Sequence, residues 1–438
     1  MWRKTRQSLL LDLWRIKGVR ERGSGAVYRV EYAGELMLRV NVLPRLLMSS
    51  VLGVLILACL FLSFYPEVQR EYLFQFVRVP AVPPAFADLN SVLSAFECVR
   101  KGVPDTAPCP PGFPFIYLKT FYLLLPLGLT TQHVLPVPIF IFAVFVASTV
   151  ILLRYLTLKQ SIYACVLFCA PTTLLAFERC NLDVLVYSLL AFAVVLLESR
   201  RWQVLALSTI VVAALLKIYP VAAIAAALGR LRLGLVITAS LACIVGFIIQ
   251  IEQLIFISQN VPWSDWHSWG YPVAYMRLHH VLENYGFEWI LPVWTQHVAR
   301  LAAAILSAIL AFHTLKGEPA PVVDIKGSAG FIASASVYCF CWFLGPNFDY
   351  RYIFLFLALP FLFNNTVRAI DPFVKIVLVC LPVMLWLSFF DDKLIPKLLQ
   401  QALALAIFCS MLAILFVHLF QIARTVSRGG MGTGAIPE

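Results

Sequence analysis

The chain has 438 residues, of which 61% are hydrophobic and only 13% charged, with a formal net charge of +11. Average soluble domains carry roughly 25% charged residues, and so few charges could not cover a water-soluble protein of this size. The apolar residues fall in blocks long enough to span a bilayer, at roughly 20 residues each, so the composition excludes a soluble protein and predicts membrane insertion. In a soluble chain the positive charge would suggest nucleic acid. Here the bases cluster at the N-terminus and between apolar blocks, which topology explains without a nucleic-acid partner.

Residues 1–45 hold ten Lys/Arg and four acids, an excess that predicts a cytoplasmic N-terminus. Leu9, Leu10, Leu13, Trp14 and Ile16, interleaved with bases, suit an amphipathic helix on an anionic leaflet. A disordered basic tail fits the same segment. No cleavable signal peptide is evident, because the first apolar run starts near Leu46 and is too long for an h-region. It is predicted as a retained first span, 46–65.

A long outer loop, 66–133, follows. It carries Asp88, an amphipathic segment near 89–101 and the turn Cys109-Pro110-Pro111-Gly112. Residues 114–128 are apolar but short, and Lys119 and Pro126 interrupt them. If they crossed, most later basic loops would fall outside, so they are predicted to lie along the outer interface. Of the eleven cysteines, nine lie in or beside apolar blocks and act as small hydrophobes. Cys98 and Cys109 lie in the outer loop, where an oxidising compartment would permit a disulfide.

Further spans are predicted at 134–153, 161–177 and 182–198. The block 203–228 is broken by Lys217-Ile218-Tyr219-Pro220 into two short helices, since proline removes a donor and clashes with the preceding turn. A span at 233–251 leads to an aromatic-rich outer loop, 252–295. Spans at 296–315, 328–345, 352–364, 374–390 and 400–421 complete about twelve, with a cytoplasmic tail at 422–438. The expected fold is therefore an all-α polytopic membrane protein with both termini in the cytoplasm.

This topology gathers polar residues from four segments at the outer face. They are Asp88, then Glu178-Arg179-Cys180-Asn181, then Lys217-Ile218-Tyr219-Pro220, then Asn347-Phe348-Asp349-Tyr350-Arg351. A charge at membrane depth costs roughly 2.5–3.5 kcal/mol on insertion scales and needs a partner or a wet cavity. The plain reading is that Glu178, Arg179 and Lys217 pair with each other or snorkel. The functional reading is a pocket for a substrate that is part lipid and part sugar, such as a polyprenyl-phosphate sugar. Arg179, Lys217 and Arg351 are then the phosphate-binding cations. A prenyl phosphate is already a good leaving group, so one carboxylate acting as general base on the acceptor hydroxyl completes the minimum set. Asp88 is the candidate, although on local sequence alone a helix N-cap is the favoured reading.

Three strings resemble recurring motifs of glycosyltransferase family 87. They are Glu178-Arg179-Cys180-Asn181-Leu182-Asp183, Leu216-Lys217-Ile218-Tyr219-Pro220 and Phe348-Asp349-Tyr350-Arg351. That family belongs to the GT-C class of membrane enzymes that take sugars from polyprenyl-phosphate donors. The resemblance implies a GT-C-like bundle, a catalytic acid in the first outer loop, interfacial helices after it, and inversion at the anomeric carbon. It implies a sugar transferred outside the cytoplasm to a glycolipid or envelope polysaccharide, with mannose and arabinofuranose as donor sugars among relatives. It favours Asp88 as the base and a bacterial inner or plasma membrane. One departure is Cys180 where a glycine is expected. No D-x-D pair stands in the first loop, so no obligatory metal or other cofactor is expected.

Glu178, Asn181, Tyr219, Asp349 and Tyr350 are candidate substrate contacts. The 252–295 loop offers Trp263, Trp266, Trp269, Tyr271, Tyr275, Tyr285 and Trp289. These suit either sugar faces or an interfacial aromatic belt. His267, His279 and His280 are candidates for hydrogen bonding to the phosphate or assisting proton transfer. An adjacent His pair lacks the i, i+4 spacing of helical metal ligands. Asp391-Asp392 reads as a solvated turn. Two other classes fit the composition. One is a flippase for lipid-linked oligosaccharides, which would show paired broken helices at the midplane. The other is a non-catalytic subunit of a membrane complex.

Overall fold

The computed structural model describes residues 26–81, 83–104, 109, 115–260, 268–270, 273, 276, 279, 283, 294–315, 327–345, 347–365, 367–390 and 394–427. Within these the protein is all-α apart from one two-residue strand pair. The helices are α1 (Ala26–Leu62), α2 (Glu67–Phe76), α3 (Ala87–Arg100), α4 (Pro136–Leu152), α5 (Leu158–Phe168) and α6 (Pro171–Glu178). They continue as α7 (Leu182–Leu197), α8 (Gln203–Leu216), α9 (Leu233–Ile249), α10 (Ile251–Asn260) and α11 (Trp294–Leu315). The last are α12 (Ser328–Leu344), α13 (Leu359–Asn364), α14 (Asp371–Leu387) and α15 (Leu394–Ser427). The short strands are β1 (Ser268–Trp269) and β2 (Asn347–Phe348).

Among the described residues, three helical stretches are long and apolar enough to cross a bilayer: Val42–Leu62, Arg368–Leu387 and Ile395–Arg424. Two bent pairs, α5 with α6 and α9 with α10, raise that to five if each is one span. Long apolar helices of this kind mark a membrane protein. Exposed apolar side chains clothe their outer faces, as in Val54, Leu57 and Phe61 of α1 or Leu301, Ile305 and Phe312 of α11. A soluble protein would not leave such continuous stripes in water.

Several sequence expectations change in detail. The stretch apolar enough to be the first span is Val42–Leu62, within a few residues of the expected 46–65. Helix α1 runs from Ala26 through Pro44, so residues 26–45 and the apolar stretch share one helix. Residues 161–177 do not form one straight helix. Ala170 is extended and Pro171 starts α6, at a bend of 60° from α5. A residue before proline is driven out of the helical region, and Ala170 obeys that rule. The predicted span 233–251 is followed by a 72° bend into α10, so the outer loop starts as a helix. Residues 352–364 are not one α-helix, because Asp349–Ala358 is a 3-10 turn leading into α13. The last helix begins at Leu394 and runs past residue 421 to Ser427.

Residues Lys119–Leu127 form a nine-residue 3-10 helix with Phe121 buried and Leu123 and Leu127 exposed. At about 2 Å per residue it is far too short to cross a core of about 30 Å. The break at Lys217 lies where proline demanded it. Helix α8 stops at Leu216, Lys217 is extended, and Tyr219–Ala227 continues as a 3-10 helix. Cys98 and Cys109 are joined by a disulfide with a Cα–Cα distance of 6.4 Å. It closes a loop at the C-terminal end of α3.

Candidate functional site

One cleft is lined by Asp88, Ile116, Tyr117, Leu118, Arg179, Asn181, Leu216, Lys217, Ile218, Tyr219, Ile257, Phe348, Tyr350 and Arg351. It brings together the first loop, the α6–α7 corner, the helix break at Lys217 and the turn after β2. Its polar wall meets an apolar wall of Ile116, Leu118, Leu216, Ile218 and Ile257.

Asp88 does not cap its helix. Phe86 occupies the N-cap position and Asp88 lies in the first turn of α3. Its carboxylate is instead used across the cleft. Asn181 Nδ2 donates to Asp88 Oδ2 at 2.5 Å, and Arg179 Nη1 lies 3.5 Å from Asp88 Oδ1.

Asn181 is the N-cap of α7. Its Oδ1 accepts from the backbone N–H of Asp183 at 2.8 Å and from Lys217 Nζ at 3.1 Å. That is the usual work of an N-cap oxygen, with a cation added. The preceding Cys180 is buried and has φ +43°. This is the left-handed region that favours glycine. The expectation of glycine at this corner thus has a backbone reason, and Cys180 adopts the same turn. Asn181 is kept in place to reach Asp88.

Asp183, named in the sequence motif without a role, is the centre of the polar wall. It is fully buried, and its carboxylate accepts from Lys217 Nζ, from Tyr219 Oη at 2.5 Å and from Arg351 Nε at 3.2 Å. Arg351 Nη1 also donates to Asn347 Oδ1 at 2.5 Å, and its guanidinium lies 5.0 Å over the Tyr219 ring. Lys217 Nζ lies 5.5 Å over the Tyr117 ring. Burial pushes the Tyr117 hydroxyl well above its ordinary value, so it remains a neutral hydrogen-bond donor at neutral pH. Phe348 and Tyr350 stack at 5.4 Å beside Arg179.

The cleft wall therefore carries three cations and one carboxylate, with a second carboxylate, Asp183, behind it. The cations outnumber the one carboxylate that lines the cleft, which suits an anionic ligand. Two buried cations without Asp183 would be prohibitive.

The other candidates fall elsewhere. Glu178 is buried but does not line the cleft, since it sits inside the corner behind Arg179. Asp349 also turns away from the cleft, towards the buried Lys397 of α15, with Nζ 3.9 Å from its Oδ2. Neither is positioned to touch a ligand there. His279 lies 3.9 Å from Glu283 of its own segment and does not line the cleft. His267 and His280 lie outside the described residues, as do Trp263, Trp266, Tyr271, Tyr275, Tyr285, Trp289, Asp391 and Asp392. Trp269 is buried and stacks with Tyr338 and Tyr352 at 4.8 and 4.9 Å. Its faces are not open to a sugar. Among the described residues no group of three His, Cys, Asp or Glu could hold a metal ion.

The sequence named Asp183 in a motif and Asn347 in the outer-face set, but gave neither a role in the framework that holds Lys217 and Arg351. The signal for Asp183 was present: an acid two residues after an Asn N-cap, at a helix start in a membrane chain with several unpaired cations. No protein-family model, curated protein or solved structure matches the chain.

Proposed function

We propose that this chain is a membrane glycosyltransferase that moves a sugar from a polyprenyl-phosphate donor to a glycolipid or envelope glycan. The observation that carries the reading is one carboxylate, Asp88, sharing a cleft with Arg179, Lys217 and Arg351. A glycosyl phosphodiester bears a negative charge, which the three cations lining the cleft can receive. Each cation held at about 4 Å from a phosphate oxygen gains on the order of 4 kcal/mol at an effective dielectric near 20. The apolar wall offers a path for the isoprenoid chain.

The acceptor hydroxyl attacks the anomeric carbon while Asp88 takes its proton. The bond from that carbon to the phosphate oxygen breaks, and its electron pair leaves on the phosphate, held by the cations. Direct displacement inverts the anomeric centre through an oxocarbenium-like transition state. Arg179 stands at 3.5 Å from Asp88 Oδ1, longer than a normal hydrogen bond, so this oxygen has room to accept from an incoming hydroxyl. In this reading the cleft faces outside the cytoplasm, both termini face inside, and the chain crosses a bacterial plasma membrane about twelve times. The fold is GT-C-like, in line with the family 87 resemblance.

The experiment is transfer by purified protein supplied with polyprenyl-phosphate mannose or arabinofuranose and membrane glycolipid acceptors. Asp88→Asn should fold and bind donor but lose transfer by about 10²–10⁴-fold. Full turnover by that variant refutes the reading.

A second reading, a lipid-linked oligosaccharide flippase, draws support from the two bent helix pairs together with the break at Lys217. Broken helices are a feature of transporter sites. Reaction of Lys217→Cys with a membrane-impermeant thiol reagent from the cytoplasmic side would favour it.

A further inference from the structure

The turn that carries Arg351 is fastened by the only described part of the aromatic-rich outer loop that forms a strand. Ser268 pairs with Phe348 and Trp269 pairs with Asn347, antiparallel. The Trp269 indole N–H donates to the Phe348 carbonyl at 3.0 Å. Its ring stacks with both Tyr338 of α12 and Tyr352 of the turn itself. From the far side, Gln401 of α15 donates to the Ser268 carbonyl at 3.4 Å. The approach is close: a Cβ on Gly270, which has φ +113°, would stand 2.7 Å from the Gly345 carbonyl oxygen.

What this clasp fixes is Asn347. Its Nδ2 donates to the carbonyls of Cys341 and Gly345, both at 2.6 Å, which leaves Oδ1 facing Arg351. Arg351 Nη1 takes that oxygen and Nε takes Asp183. Two edges of the guanidinium are thereby held, and the remaining nitrogen, Nη2, is free of any role in this framework. A planar fork with two edges pinned has one orientation. Trp269 does not line the cleft, so it acts on a ligand only through this chain of contacts.

We infer that Trp269 is a positioning residue for the donor phosphate: through the β1–β2 pair and Asn347 it aims the Arg351 guanidinium into the cleft. The inference rests on the reading of that cleft as a prenyl-phosphate site. It gives the aromatic-rich loop a role apart from sugar stacking or an interfacial belt. Phenylalanine at 269 would keep the ring stack and lose the hydrogen bond to Phe348.

The test is a double-mutant cycle read by binding of a polyprenyl phosphate to protein in nanodiscs. The proteins are wild type, Trp269→Phe, Arg351→Gln and the double variant. Residues that act as a unit give non-additive losses. Trp269→Phe should weaken binding about tenfold in the wild-type background and leave the Arg351→Gln variant unchanged. In a transfer assay it should raise the donor KM more than it lowers kcat. If Trp269→Phe fails to fold, Asn347→Ala runs the same cycle. Wild type that binds, with variants that match it or lose affinity equally in both backgrounds, overturns this inference alone. Wild type that does not bind polyprenyl phosphate overturns the cleft reading and this inference with it.

Discussion

Asp183→Asn is the perturbation whose cost follows most directly from the geometry. The carboxylate is fully buried and accepts from Lys217, Tyr219 and Arg351. An amide is nearly the same shape, but it has one acceptor oxygen and one NH2 group. Oδ1 serves Lys217 and Tyr219, and Oδ2 serves Arg351. Whichever way the amide turns, its NH2 meets a cationic donor. Two cations also lose their counter-charge. Removing one partner of a buried ion pair costs about 3–5 kcal/mol. That corresponds to a fall in Tm on the order of 10 °C. The assay is thermal unfolding of purified protein in detergent, followed by intrinsic fluorescence. Adding Lys217→Met to Asp183→Asn removes one of the stranded cations and should recover part of the loss, because the two sites are in contact. An Asp183→Asn protein that unfolds at the wild-type temperature refutes the reasoning. So does a double variant that loses the sum of the two single losses.

Further tests address other parts of the molecule. Lys217→Met and Arg351→Gln should each weaken prenyl-phosphate binding by about tenfold or more, measured in nanodiscs, since each removes a charged hydrogen-bond donor worth about 1.5–3 kcal/mol. Glu97 accepts from the N–H and hydroxyl of Thr131 at 2.6 and 2.7 Å, which holds its carboxyl below the ordinary 4.5. A depressed folded value means stability that is present above the unfolded value and lost as pH falls through the folded one. The Tm gap between wild type and Glu97→Gln should therefore be present at pH 7 and close below about pH 4. Replacing Cys98 with Ser opens the loop to Cys109, eleven residues away, and should cost about 2–3 kcal/mol by chain entropy, read by thermal unfolding with and without reductant.

The parts legible in the sequence were those set by local chemistry. Pro220 announced the break after Leu216, and residues 114–128, interrupted by Lys119 and Pro126, hold only a nine-residue 3-10 helix. Arg179, Lys217 and Arg351 could be grouped because each sits beside the end or break of an apolar block, Asp88 joined them as the acid of the first loop, and one cleft contains all four. What local sequence could not supply was direction. Asp349 and Arg351 are two residues apart in a 3-10 turn, where side chains at that spacing point different ways. One meets Lys397 and the other meets Asp183. Asp183 has the same difficulty: its partners lie 34, 36 and 168 residues away. Trp269 looked like its neighbours in an aromatic loop, and only the pairing with β2 makes it a core residue. The bend at Pro171 was within reach, since a proline inside a predicted span should have argued for a break.

The central claim is that Arg179, Lys217 and Arg351 bind a prenyl phosphate beside Asp88. Cryo-electron microscopy of the protein in nanodiscs with added polyprenyl phosphate tests it most directly. Head-group density is expected within roughly 3 Å of the three cationic side chains, with the chain leaving over Leu216 and Ile257. Head-group density elsewhere, with this cleft empty, would contradict it.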